Sequence, residues 1–190
     1  SAPVALTARW LTRYIGEFMT AYPDVKLRVV ASNDDKDVYS AKVDICVRYG
    51  TGIWPDRVVT LLSNVMIFPV CSPAMVEGPK AIREVADLQS HALLCEDDGA
   101  EWTRWLLSMA GVQQAWRLVP MGNAHVAIEA ALHGQGVALA DTLLDQVDLE
   151  QGRLVRLFDK GIAAQHAYYL VHRQAVADTP AGAAFIGWLQ

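Results

Sequence analysis

Residues 43–50 read Val-Asp-Ile-Cys-Val-Arg-Tyr-Gly, and residues 51–54 continue this stretch with Thr-Gly-Ile-Trp. The apolar run Val43–Val47 predicts a strand buried on both faces, because a half-exposed strand would alternate apolar and polar residues. The strand ends in a cation, Arg48, and a phenol, Tyr49, before a glycine-spaced loop that leaves backbone amides accessible. Since small ligands bind at the carboxyl ends of strands in open α/β sheets, this stretch predicts an α/β fold with a ligand site beside it.

Helical and strand patterns alternate on both sides of this stretch. Apolar residues at helical spacing predict a helix over Thr7–Tyr22 that Pro23 ends, and alternation predicts a strand over Val25–Val29. A further apolar strand is predicted over Val65–Cys71. This order of helices and strands is typical of an α/β domain.

The pattern starts again after Ser72-Pro73 and forms a second α/β block up to residue 164. A last strand over Ala167–Val171 and a last helix over Thr179–Leu189 then remain, and such trailing elements often pack on the first block. We therefore predict two lobes, 1–73 with 165–190 and 74–164, joined by two crossover segments. A cleft between two such lobes would be a natural ligand site and hinge.

The composition indicates a globular chain that does not itself bind nucleic acid. Of its 190 residues, 53% are hydrophobic and 19% are charged, and the formal net charge is −5, whereas nucleic-acid binding requires a basic face. The three cysteines, Cys46, Cys71 and Cys95, lie in apolar runs, which predicts reduced thiols and a cytoplasmic location. We expect no membrane span, since no apolar run reaches about 18 residues. We expect no metal or cofactor, since no ligand spacing or binding motif is present.

Five short motifs occur in the order in which one family of regulators has them. They are the helix and its exit over Trp10–Val25, the strand Val43–Gly50, the segment Phe68–Pro73, the helix-to-strand turn Ala130–Ala138 and the strand start Gly152–Val155. This ordered set resembles the effector-binding (regulatory) domain of LysR-type transcriptional regulators over essentially the whole chain. Residues 48–54 and the pair Trp102 and Trp105 resemble the branch of glycine-cleavage activators and β-lactamase regulators.

The resemblance implies a two-lobed, type 2 periplasmic-binding-protein-like fold in which each lobe is an α/β sandwich. It implies that a small-molecule effector, of a kind that can bear a carboxylate, binds between the lobes and alters DNA binding by the full-length protein. DNA would be contacted only through an N-terminal winged helix-turn-helix, which this sequence does not contain, and residues 1–3 fall where the family's first strand ends. Homodimers or homotetramers are also implied, with exposed faces of the helices Thr7–Tyr22 and Asn123–His133 as candidate contacts.

Five candidate effector contacts lie in the first lobe by this resemblance: Ser1, Thr7, Arg48, Tyr49 and Trp54. Ser1 and Thr7 stand near the start of the first helix, whose amides attract anions, but Thr7 could equally be a simple N-cap. Arg48 could bind a carboxylate or phosphate through its planar guanidinium, with Trp54 as a wall of the site. The alternative is that Arg48 pairs with an acidic residue and braces the hinge.

Three further candidates are Asn123, His125 and Tyr168. Asn123 begins a helix and could bind the effector while capping, or cap alone. His125 could contact the effector or be an ordinary surface or core histidine. Tyr168 and Tyr169 are expected on opposite faces of one strand, and register with the family favours Tyr168 for the pocket.

An enzymatic interpretation rests on one pair of residues. Cys71-Ser72 with a remote His91 or His166 could imitate a nucleophile and its base. No hydrolase elbow, phosphate-binding loop or zinc-protease motif accompanies them, so we expect that the protein is not an enzyme.

Two other patterns are interpreted as structural. The acidic run over residues 96–98 is expected to be a solvated loop, and Trp102 with Trp105 is expected to be core, because large aromatic side chains dominate burial. The alternative function, from a different class, is a stand-alone solute-binding protein of the same fold.

Overall fold

The structure, a computed structural model, describes residues 1–110 and 115–190. The chain forms two units: unit 1 comprises Ser1–Val65 with Gln165–Gln190, and unit 2 comprises Met66–Ala164. Two long strands contribute residues to both units, β2 (Val58–Cys71) and β7 (Ile162–His172). The division into two lobes, 1–73 with 165–190 and 74–164, joined by two crossover segments, stays a prediction.

Aromatic side chains join the helices of unit 1. Its helical elements are α1 (Val4–Leu6), a π-helical turn (Thr7–Leu11), α2 (Thr12–Ala21), α6 (Gln174–Ala177) and α7 (Pro180–Leu189). The Phe18 side chain is fully buried. Its ring lies 4.9 Å from that of Phe185 in an edge contact and 5.7 Å from that of Trp188. Burial of these large rings holds α2 against α7.

The ligand-site stretch forms β1 (Ile45–Gly50), which pairs antiparallel with β7 in unit 1. The register places Tyr49 opposite Tyr168, and Arg48 opposite Tyr169. Because successive side chains alternate between the faces of a strand, Tyr49 and Tyr168 share one face of the pair and Arg48 and Tyr169 share the other. A 3-10 turn over Asp35–Tyr39 precedes β1.

Unit 2 is a sheet with helices around it. Its remaining strands and its helices are β3 (Leu93–Cys95), α3 (Ala100–Ala110), β4 (Leu118–Pro120), α4 (Ala124–Leu132), β5 (Val137–Asp141), α5 (Gln146–Glu150) and β6 (Val155–Arg156). β2 pairs antiparallel with β5 and β6, and β3 pairs parallel with β4 and β5. The predicted α/β class is therefore confirmed.

Two hydrophobic clusters form the core of unit 2. One cluster packs α4 on the sheet through residues such as Ile128, Ala131 and Val70. The other surrounds Trp102 and Trp105, which are 1% and 0% exposed. The prediction that these two tryptophans are core is confirmed. Within residues 1–110 and 115–190, no helix combines the length and apolar character needed to cross a bilayer.

One predicted strand is absent from the structure. Residues 25–30 belong to no helix or strand, although a strand is predicted over Val25–Val29. Alternation of apolar and polar residues indicates which residues can form a strand, but it does not show whether a neighbouring strand is present to hydrogen-bond with them. The helix α5 begins at Gln146, and before it the Asp141 carboxylate accepts the N–H groups of Leu143 and Leu144 and forms a turn.

Candidate functional site

Three rings form an aromatic cluster on one face of the β1–β7 pair in unit 1. The ring of Tyr49 lies 5.0 Å from that of Tyr168 and 5.4 Å from that of His166, in an edge-on contact with the latter. Tyr168 is buried, Tyr49 is half-buried and His166 is exposed, so the cluster runs from the interior to the surface. Two phenols and an imidazole offer flat apolar faces together with polar tips. We call these three residues the Tyr49 cluster.

Trp54 lies on the other face of the pair and does not join the Tyr49 cluster. Its ring lies over Gly50, where a Cβ atom would come within 3.0 Å of the indole. The ring also contacts that of Tyr169 at 5.8 Å. Gly52 has a positive φ of 84°, and a Cβ there would lie 2.8 Å from the Tyr169 ring. The glycine spacing of this loop therefore has a packing reason, the close approach of two aromatic rings.

Arg48 is 2% exposed, and its guanidinium donates hydrogen bonds to nearby residues of the same chain. Nη1 donates to Val47 O at 2.7 Å, and Nη2 donates to the Ser1 hydroxyl at 3.0 Å. Nη2 also donates to Asp34 O at 3.2 Å and to the Asp37 carboxylate at 3.3 Å. The geometry favours the alternative in which Arg48 pairs with an acidic residue, because Asp37 is that partner. That Arg48 also braces the hinge stays a prediction.

Ser1 and Asp37 complete this network. The Ser1 hydroxyl donates to Asp37 Oδ2 at 2.7 Å and at the same time accepts from Arg48. The hydrogen bonds from the hydroxyls of Ser1 and Ser32, with the Arg48 charge adding to them, hold the pKa of Asp37 below its usual range. We call Ser1, Asp37 and Arg48 the Arg48 network.

Of the two alternatives for Thr7, the one in which it is a simple N-cap of the first helix is wrong. The helical segment begins at Val4, directly after Pro3, and Thr7 is the first residue of the π-helical turn. The Val4 N–H donates to Asn33 Oδ1 at 3.0 Å, so a side chain distant in sequence does the capping. The Thr7 hydroxyl donates to Ala2 O at 3.4 Å.

The start of α4 brings three predicted features together in unit 2. Asn123 is the N-cap, and its Oδ1 accepts the His125 N–H at 2.9 Å. The His125 side chain is 28% exposed, and its Nδ1 lies 3.9 Å from Glu129 Oε1, one turn further along. Glu96 follows β3, and its carboxylate accepts the Ala124 N–H. Burial raises the pKa of Glu96, the Asp97 charge adds to this shift, and the bond from Ala124 opposes it.

We expect Asn123→Ala to lower the free energy of unfolding by about 1 kcal/mol, because the His125 N–H then loses its acceptor. Asn123→Ser should recover most of this loss, since serine is also a good N-cap. Urea denaturation followed by circular dichroism measures both changes. An alanine variant as stable as the parent protein would show that the cap contributes nothing.

The thiol considered as a nucleophile lies in the core of unit 2. Cys71 is 0% exposed, and burial raises its pKa to about 11. A thiol with a raised pKa is a poor nucleophile at neutral pH. Among the described residues, no group of three or more His, Cys, Asp or Glu side chains is placed to hold a metal ion.

Comparison with known proteins decides the family. A sequence profile described as the LysR substrate binding domain matches residues 1–190. The chain belongs to this family. The resemblance drawn from the five motifs is thereby confirmed.

Relatives of this LysR substrate-binding domain are transcriptional activators. The glycine cleavage system transcriptional activator of Escherichia coli K12 is 35% identical over 185 residues, which cover 95% of this chain and 59% of the relative. The transcriptional activator AmpR of Pseudomonas aeruginosa is 28% identical over 185 residues, which cover 96% of this chain and 61% of AmpR. The LysR substrate-binding domain thus spans less than two thirds of the length of these curated relatives.

Solved structures of effector domains share the fold of this LysR substrate-binding domain. The effector domain of AmpR from Pseudomonas aeruginosa superposes with a TM-score of 0.81 at 28% identity, covering 99% of this chain and 90% of that one. The AmpR effector binding domain from Citrobacter freundii gives a TM-score of 0.81 at 26% identity, covering 99% and 93%. These neighbours confirm the predicted periplasmic-binding-protein-like fold.

Proposed function

We propose that this chain is the effector-sensing part of a LysR-type transcriptional regulator. It binds a small metabolite, and this binding changes how the full-length protein binds DNA. A ligand can do so only if it binds one conformation of the protein more tightly than another. The observation that supports the proposal most is the family match over residues 1–190.

The full-length protein is proposed to bind DNA through a winged helix-turn-helix outside this chain. The net charge of −5 makes the chain itself unsuited to a polyanion. A regulator of transcription would act in the cytoplasm, and because its relatives are transcriptional activators we propose that it is not an enzyme.

Homodimers or homotetramers are proposed to form through helix faces. Tyr14 and Met19 on α2 are 38% and 52% exposed, and Val126 on α4 is 44% exposed. Exposed apolar side chains on these two helices support the predicted contacts. Light scattering at increasing protein concentration measures the state, and a strict monomer would contradict this part of the proposal.

Four residues are proposed as direct effector contacts: Tyr49, Tyr168, Asn123 and His125. The first two belong to the Tyr49 cluster, whose phenols can hydrogen-bond a ligand that stacks on the rings. The other two stand at the start of α4, where the helix dipole favours a carboxylate. A small carboxylate is therefore the proposed ligand class.

The other predicted contacts are proposed to stabilise the chain around the site without contacting the effector. They are Ser1, Thr7, Arg48 and Trp54. Arg48 and Ser1 hold each other and Asp37 in the Arg48 network. Trp54 packs on Gly50 and Tyr169. Thr7 bonds the Ala2 carbonyl.

Thermal shift of the full-length protein with glycine and other small carboxylates tests the function. A true effector raises the melting temperature in proportion to the logarithm of its concentration, because it binds the folded state alone. We expect Tyr168→Phe to weaken its apparent Kd by about 10-fold, the effect of losing one hydrogen bond of roughly 1.4 kcal/mol.

Tyr39→Phe is the matched control, since Tyr39 is 52% exposed and lies outside the Tyr49 cluster. It should leave the apparent Kd unchanged. An unchanged Kd for Tyr168→Phe would remove Tyr168 from the site. A full-length protein that fails to bind its own promoter region, with or without these ligands, would refute the regulator function.

The stand-alone solute-binding protein is not favoured by the comparisons, whose matches are regulators. The DNA sequence that encodes the residues before Ser1 distinguishes the regulator from the solute-binding protein. A winged helix encoded there supports the regulator, and a secretory signal peptide would support the transport protein.

A further inference from the structure

His166 is the member of the Tyr49 cluster whose side chain is exposed. Its ring contacts that of Tyr49 edge-on, with 5.4 Å between the ring centroids and an interplanar angle of 84°. Within residues 1–110 and 115–190, no other side chain or backbone group forms a hydrogen bond or ion pair with its imidazole. The ring is therefore held beside a phenol while its two nitrogens stay accessible.

The strand register places His166 on the same face as both phenols. Tyr49 lies opposite Tyr168, and His166 precedes Tyr168 by two residues on β7, so the alternation of side chains gives them one direction. His172 shares this face, but it is 5% exposed and its Nδ1 lies 2.9 Å from Arg173 O. Of these two histidines of β7, only His166 is open to a ligand.

Arg48 does not supply a positive charge on this face. Its side chain lies on the other face of the β1–β7 pair, is 2% exposed and donates to Asp37 and three further acceptors. A carboxylate that packs on the Tyr49 cluster needs a donor from another residue, because a charge that leaves water without a partner is costly. An imidazole meets this need, since it has one N–H when neutral and two when protonated.

We propose that His166 is a specificity-determining residue that recognises the charge of the effector. Its imidazole donates a hydrogen bond to the carboxylate of a ligand whose flat apolar body packs on the rings of the Tyr49 cluster. Such a carboxylate binds more tightly than the neutral amide of the same shape, because a hydrogen bond to an ionised acceptor is about twice as strong as one to a neutral acceptor. This inference rests on the proposed function of effector sensing.

Nicotinate and nicotinamide are a matched pair of probes, since they have the same flat ring and differ only in carboxylate and amide. Thermal shift of the full-length protein at pH 7 gives an apparent Kd for each. We expect nicotinate to bind at least about 10-fold more tightly than nicotinamide. His166→Phe keeps a flat ring but removes both nitrogens, so it should abolish this preference and leave the apparent Kd of nicotinamide unchanged.

His133→Phe is the matched control, because His133 is also an exposed histidine and lies outside the Tyr49 cluster. It should leave both apparent Kd values unchanged. A preference for nicotinate that persists in His166→Phe would overturn the role of His166 and leave the regulator function intact. If neither compound changes the melting temperature of the parent protein, the inference is wrong, whereas binding to the promoter region tests the regulator function separately.

Modification of histidine rings by diethyl pyrocarbonate gives a second readout, which reports contact directly. Nicotinate at about ten times its apparent Kd should slow the modification of His166 by about 10-fold, because only about a tenth of the full-length protein is then unliganded. The modification of His133 should keep its rate and serves as the internal control. Mass spectrometry of the peptides measures both rates, and an unchanged rate at His166 would overturn the proposal.

Discussion

Arg48→Ala is expected to lower the free energy of unfolding by about 3 kcal/mol at pH 7, because it removes a buried charged group that donates four hydrogen bonds. The guanidinium is 2% exposed and donates to two carbonyls, a hydroxyl and the Asp37 carboxylate. Without it, all four acceptors lose this donor, and the Val47 carbonyl, whose contact with Arg48 is buried, is left desolvated. Urea denaturation followed by circular dichroism measures the change.

Arg13→Ala is the control, because Arg13 is an exposed arginine on α2 and should change stability by less than about 0.5 kcal/mol. Arg48→Lys keeps the charge but not the planar fork and should recover part of the loss. If Arg48→Ala leaves stability unchanged but abolishes the ligand-induced thermal shift, then Arg48 is an effector contact and the bracing role is wrong.

The Arg48 network also makes the free energy of unfolding depend on pH. The pKa of Asp37 is lower in the folded state than its ordinary value of 3.8. A carboxyl of this kind stabilises the fold above the unfolded pKa, and its contribution is lost as the pH falls through the folded pKa. The destabilisation caused by Asp37→Asn should therefore be full at neutral pH and shrink below pH 3.8.

Trp105→Ala is expected to have the largest effect on unit 2, about 4 kcal/mol of unfolding free energy. The side chain is 0% exposed and stacks on Phe158 with 5.5 Å between ring centroids. Its ring meets that of Trp102 edge-on at 6.0 Å, and its Nε1 donates to Lys160 O at 3.1 Å. Alanine would leave a cavity and remove the donor from that carbonyl.

Leu107→Ala on the same helix, α3, is the matched control, since Leu107 is 55% exposed. It should cost well under 1 kcal/mol. Trp105→Phe fills part of the cavity and should fall between the two. Equal losses for Trp105→Ala and Leu107→Ala would mean that the tryptophan cluster does not stabilise unit 2.

Elements whose signals are local could be predicted from the sequence. The helix predicted over Thr179–Leu189 is α7, because Thr179 caps it and Pro180 suits its first position. Elements whose bounds depend on a pairing partner distant in sequence could not be predicted correctly. β2 begins at Val58 rather than Val65, since its first half is a half-exposed strand whose polar residues hide the pattern.

The candidate site was predictable as a stretch but not as an arrangement. Arg48 and Tyr49 could be placed at the end of a strand, yet only the register of β1 with β7 brings Tyr49 beside Tyr168 and His166. The acidic partner of Arg48 could not be chosen, because residues 33–42 hold several acids with no period. The Asn33 side chain that caps the first helix likewise comes from another segment.

The tryptophans are divided evenly between the two units, and this gives each unit its own optical signal. Trp10, Trp54 and Trp188 lie in unit 1, and Trp102, Trp105 and Trp116 lie in unit 2. Trp102 and Trp105 are shielded from water, so their emission should lie toward the blue and shift to the red when unit 2 opens. Replacing the three tryptophans of one unit by phenylalanine would therefore make the intrinsic fluorescence a reporter of the other unit alone.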